Sequence, residues 1–173
     1  VQILADLYDV TRIINTGVAG SLNPALDIGD ILVSKDAIQH DMDVTPLGYA
    51  KGQIPGLEQL AFAADEKLCK TAVEVCKKVN PDIHVTEGRV VSGDQFISSK
   101  EIKDALIAEF HPDCTEMEGA SIAQAAALNN IPYVVIRAIS DKADGSAQED
   151  YPTFEKKAAE HCAKLVQEMM KEL

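Results

Sequence analysis

Arginine is scarce in this chain: three occur in 173 residues, at Arg12, Arg89 and Arg137. Positive charge as a whole is thin, with 16 basic against 28 acidic residues and a net charge of -12. Polyphosphates and anionic bilayers repel such a surface, which excludes nucleic acid and membrane as expected partners but not a small neutral ligand. Cysteine is sparse too. Cys69, Cys76, Cys114 and Cys162 form no C-x-x-C pair, and the first two sit one heptad apart on a helical pattern. That usage predicts reduced, buried or half-buried thiols and argues against a disulfide framework or a zinc site. No run approaches the ~18 apolar residues of a membrane span. No signal peptide is visible, so the expected compartment is the cytosol. The glycine-rich stretch Gly17-Val18-Ala19-Gly20 is neither G-x-G-x-x-G nor a P-loop.

What is present is an ordinary globular balance, 46% hydrophobic and 25% charged, in a length that fits one domain with a real core. Residues 1–9 read as an amphipathic helix with Val1, Leu4, Leu7 and Tyr8 apolar. The chain begins inside that helix and without Met, from which a missing upstream segment is expected. Arg12–Thr16 reads as a short buried strand and Gly17–Gly20 as a tight turn. Strands are also expected at Asp30–Ser34, at His84–Ser92 and at Ile131–Ile139, with Ala37–Asp41 extending the sheet. Helices are expected at Asp65–Lys78, capped by Asp65; at Lys100–Phe110, capped by Ser98 or Ser99; at Glu118–Asn129; and at Phe154–Leu173. Residues 42–60 form a long loop, a common home for function. Alternating strands and helices give an α/β layer fold with a parallel or mixed sheet.

Chemistry-bearing residues cluster at strand ends. In open α/β sheets ligands bind at that edge. Arg137-Ala138-Ile139-Ser140-Asp141 follows an apolar strand, and Glu116-Met117-Glu118 opens the Ala-rich helix. If the backbone is extended there, Glu116 and Glu118 share a face and can accept the hydroxyl hydrogens of a sugar; an acidic helix N-terminus is the alternative. Arg137 can hold a carboxylate such as Glu118, and Ser140 can do the same for Asp141. Phe96, after Gly93-Asp94-Gln95, can wall a flat-ring site whose ring edge the Ile97 backbone reads. Plain loop packing is the alternative. His40-Asp41-Met42-Asp43 has metal-ligand spacing, but no second His or Cys cluster accompanies it, and a structural role at a strand end is expected.

Six motifs together resemble one family. They are Ile14–Gly20, His40–Thr45, Gln53–Gly56, Ser92–Ile97, Glu116–Glu118 and Arg137–Asp141, in order along essentially the whole chain. They are similar to bacterial 5′-methylthioadenosine/S-adenosylhomocysteine nucleosidases. The resemblance implies a nucleoside phosphorylase-like three-layer α/β/α fold with a mixed, partly closed central sheet, a single domain over 1–173 lacking its first strand or strands. It implies hydrolysis of an adenine–ribose N-glycosidic bond without a cofactor or metal. Asp141 would be the general acid at adenine N7, which requires a raised pKa or a proton shared with the base. Glu118, with Glu116, Met117 and Arg137, would serve the ribose. Phe96 and Ile97 would hold adenine, Ser140 would orient Asp141, Ala19 and Gly20 would border ribose and water, and Tyr151 would join the substrate-binding set. Leu47 and Tyr49 would reach a neighbouring subunit's pocket in a homodimer.

Three departures from the family pattern stand out. Val18 occupies a common Ser position, and Leu47 a common aromatic one. The strand whose Glu activates water is expected upstream of Val1, so this chain alone is expected to carry a pocket and an acid but no base. A purine nucleoside phosphorylase, a futalosine-type nucleosidase and a non-catalytic nucleoside-binding protein remain as alternatives.

Overall fold

The computed structural model describes residues 1–144 and 147–173, with the side chains of 147–153 and 155 outside that description. The Tyr151 side chain thus lies outside the described residues. The elements run α1 (Gln2–Leu7), β1 (Ile13–Ser21), β2 (Ile31–Gln39), β3 (Phe62–Ala63), α2 (Glu66–Val79), β4 (Val85–Ser92), α3 (Lys100–Phe110), β5 (Cys114–Glu116), α4 (Gly119–Leu128), β6 (Tyr133–Asp141) and α5 (Ala147–Glu172).

The sheet is mixed and closes on itself. Strand β1 runs parallel to β6 and antiparallel to β5, while β4 runs parallel to both β2 and β5. The ring shuts where Ile31–Val33 of β2 pair antiparallel with Ile136–Ala138 of β6. β3 hangs on the outer side of β2.

Side-chain alternation along the strands explains the layers. Ile31 and Val33, with Val134, Ile136 and Ala138, pack under α2 and α5. The intervening Leu32, Val135 and Ile139 join Ala120, Ala123 and Ala126 of α4. With both faces covered, all nine residues of β6 are buried, which is why the sequence reads there as one apolar run. Leu165 and Met169 of α5 are fully buried, and each such side chain contributes roughly 1.5–3 kcal/mol. Helix ends follow the expected caps. Asp65 accepts from the Leu68 N–H at 2.9 Å, and Ser99 caps α3.

Four expectations change. Gly17–Gly20 is not a tight turn but the body of β1, because its backbone pairs with β6 on one side and β5 on the other. Arg137–Asp141 lies within β6 rather than beyond it. Glu116 ends a three-residue strand, so Glu116 and Glu118 do not share one face of an extended segment. Helix α1 is shorter than expected and buries none of its residues, with Leu4 and Leu7 both exposed.

Candidate active site

The ends of β1, β5 and β6 and the turn after β4 enclose a cavity of about 460 Å³. Its lining includes Gly17–Gly20, Phe96, Thr115–Glu118, Ser140 and Asp141. A small annex adds Gln95 and Ile97. A bulge in the β1–β6 ladder falls between Ala19 and Gly20 and sets Gly20 opposite Asp141. A Cβ on Gly20 would lie 2.8 Å from the Asp141 carboxylate and from Ala143 Cβ, so only glycine fits between acid and cavity.

Asp141 is almost fully buried, at 2% exposure. Ser140 Oγ donates to its Oδ2 at 2.8 Å and the Ala143 N–H to its Oδ1 at the same distance. The carboxyl is therefore aimed by its neighbours before any ligand arrives.

The floor of the site is a buried ion pair. The Arg137 guanidinium donates through Nε and Nη2 to Glu116 and through Nη2 to Asn15 Oδ1 at 2.6 Å. Glu116 also accepts from Ser92 Oγ and, at 2.8 Å, from the Gly119 N–H at the start of α4. Ser92 Oγ in turn accepts from the Ala120 N–H at 2.7 Å. The helix dipole favours a carboxylate at that end. Arg137 thus holds Glu116, not Glu118 as expected. Its Nη2 approaches a Glu118 oxygen only to 3.9 Å. The physical reason is position: Glu116 ends a buried strand beside β6, while Glu118 occupies the exposed cap position of α4.

The rim is open. The Glu118 side chain is 68% exposed, and Met117 and Phe96 are both large apolar groups in contact with solvent. Phe96 sits on a turn fastened at both ends. Ile97 is buried among Leu22, Ile38, Val91 and Leu106. At the other end the Asp94 N–H bonds Asp41 at 2.8 Å, and the His40 N–H bonds the Ser92 carbonyl at 2.9 Å. His40 and Asp41 therefore support the Phe96 turn. Burial lowers the His40 pKa.

The phosphorylase superfamily pattern matches residues 1–171. The chain is 41% identical over 173 residues to the 5′-methylthioadenosine/S-adenosylhomocysteine nucleosidase of Anoxybacillus flavithermus, covering 99% of this chain and 73% of that protein. This chain belongs to that nucleosidase family. Among solved structures, the Neisseria meningitidis nucleosidase in complex with methylthio-immucillin-A superposes with a TM-score of 0.94 at 37% identity, covering 99% of this chain and 74% of that one. The futalosine hydrolase of Helicobacter pylori superposes with a TM-score of 0.93, also at 37% identity, covering 99% and 72%.

In this nucleosidase-family chain, Ala19, Gly20, Phe96, Glu116, Met117, Glu118, Ser140 and Asp141 all border the main cavity, and Ile97 borders the annex. Arg137 lies beneath the cavity at 1% exposure. Glu116 borders the cavity, and its carboxylate is engaged by Arg137, Ser92 and the backbone of α4. Leu47 stands 74% exposed on the 3-10 turn Thr45–Leu47, and Tyr49 is half-buried; neither borders the cavity. Sequence reasoning missed Thr115, Asn15 and Ser92. Ser92 stood inside a quoted motif, but Thr115 had no signal beyond following a buried cysteine.

Proposed function

We propose that this protein hydrolyses the N-glycosidic bond of 5′-methylthioadenosine and S-adenosylhomocysteine and releases adenine. The observation that carries the reading is that one cavity gathers a buried, hydrogen-bond-aimed carboxyl (Asp141), an aromatic wall (Phe96) and an exposed carboxylate (Glu118).

The chemistry follows from the leaving group. Expelling adenine as an anion is costly, and a proton delivered to N7 as the C1′–N9 bond breaks removes that cost. Asp141 supplies the proton. Phe96 stacks on the base and keeps N7 in reach. The sugar becomes oxocarbenium-like, and Glu118, binding its hydroxyls, places negative charge nearby. Water adds to C1′ and loses a proton to a base, which the sequence resemblance assigns to a Glu upstream of Val1. No step uses a cofactor. All three arginines of this chain have other work. Arg12 bonds the Leu173 carbonyl, Arg89 forks onto Asp36, and Arg137 holds Glu116. A phosphorylase would need such a side chain at its oxyanion. The reading includes a homodimer, in which the exposed Leu47 and the half-buried Tyr49 complete a neighbour's pocket, and a cytoplasmic setting.

A second reading has its own observation, the similarity to a futalosine hydrolase. Adenine release from methylthioadenosine should exceed base release from futalosine in side-by-side assays of the full-length protein, and should not depend on phosphate. Asp141→Asn should lower kcat by about 10²–10⁴-fold. Unchanged turnover in that variant, or phosphate-dependent release, would sink the proposal.

A further inference from the structure

Among the described residues, two buried side-chain polar atoms have no hydrogen-bond partner, His40 Nε2 and Thr115 Oγ1. The imidazole borders a separate cavity with Asp41, Asp43 and Lys51, whereas Thr115 borders the active-site cavity itself. A buried hydroxyl left unpaired is destabilising, because it has given up water and received nothing. Proteins keep few such groups, and each calls for an explanation.

The surroundings of Thr115 supply one. It is 5% exposed, in the middle of β5. It pairs with Gly20 of β1, and Gly20 pairs with Asp141 of β6. No side chain stands on the strand between Thr115 and the acid. Thr115 is also common to the cavity and the annex, together with Phe96 and Asp141. The other buried polar side chains around it have partners within the protein. Glu116 is held by Arg137, and Ser140 donates to Asp141. Thr115 is the exception, and it stands at the end of the cavity that Phe96 and Asp141 define.

The geometry points to Thr115 as a base-specificity residue whose hydroxyl makes its hydrogen bond to the purine of the bound nucleoside. This rests on the nucleosidase reading of the same cavity. A hydroxyl both donates and accepts, so it can meet a ring nitrogen or an exocyclic amine. Threonine suits the place, since its branched carbon packs in a strand as valine does while the oxygen faces the ligand.

Stability and binding should then move in opposite directions. In the full-length protein, Thr115→Val removes the unpaired oxygen at nearly constant volume. The free variant should melt no lower than the parent, and about 2–4 °C higher if the full cost is recovered. Its dissociation constant for adenine, measured by calorimetry, should rise roughly tenfold. KM for methylthioadenosine should rise likewise, with kcat little changed. Thr115→Ser keeps the oxygen and should bind adenine as the parent does. Unaltered adenine affinity in Thr115→Val would overturn the inference, as would a melting point several degrees below the parent, or a parent protein that binds no adenine. Adenine binding is read without turnover. A parent that binds adenine and loses it on Thr115→Val, yet leaves methylthioadenosine intact, would refute the proposed reaction and leave this inference standing.

Discussion

The floor and the rim of the cavity are built from similar residues by opposite rules. Glu116 and Glu118 are two positions apart. One is buried against Arg137, Ser92 and a helix N-terminus, and the other is 68% exposed at the cap of the same helix. The floor is satisfied from within, and its charges hold one another in place. The rim leaves its carboxylate and its large apolar faces to solvent, where a ligand can cover them. A carboxylate's chemistry here is set by which strand or helix end carries it, not by its identity.

Removing the floor should have the largest effect. Glu116→Ala leaves the Arg137 cation buried with its main partner gone, and loss of one member of such a pair costs about 3–5 kcal/mol. Urea unfolding should show that loss directly; a midpoint near the parent's would erase the distinction between floor and rim. Glu118→Gln tests the other side. Stability should stay within about 0.5 kcal/mol of the parent, as for most exposed positions. Catalytic efficiency toward methylthioadenosine should nevertheless fall by roughly tenfold or more, on the order of one lost charge-assisted hydrogen bond. Equal efficiency in both proteins would remove Glu118 from the ribose.

The smallest effect concerns the layer behind the floor. Burial raises the pKa of Cys69 to about 11 from 9.0, and raises those of Cys76, Cys114 and Cys162 as well. The folded protein therefore keeps protons that the unfolded chain releases above pH 9. Stability is intact below that pH and falls as pH rises toward 11. Thiol-specific reagents should label the native protein slowly at pH 8, and the urea midpoint should decline between pH 9 and 11. Rapid labelling at pH 8 would contradict the burial.

The helices and long strands were legible in the sequence because their signals are local. Asp65 and Ser99 announce helix starts, and the stripe Ala158, Cys162, Leu165 and Met169 repeats at helical spacing and is buried as expected. The strand at Cys114–Glu116 was not legible, since three residues are too few to show a period. Losing it misplaced Glu116 at a helix start and gave Arg137 the wrong carboxylate. Reading Gly17–Gly20 as a turn had a related cause. Glycine in a strand signals close approach of a neighbour, here the Asp141 carboxylate, and that neighbour is distant in sequence. Thr115 stayed silent for a different reason: an unpaired hydroxyl is a property of surroundings, and no spacing encodes it.

The ring of strands has a consequence for how the chain is made. Its closing segment, Tyr133–Asp141, is delivered by the ribosome after the other five strands among the described residues, and it bonds both β1 and β2. Until then those two strands present bare edges, the kind that recruit other chains. The same nine residues bring Ser140 and Asp141. A nascent or truncated chain that lacks them is at once aggregation-prone and without its proposed proton donor, so completing the barrel and arming the site are one event in the history of each molecule.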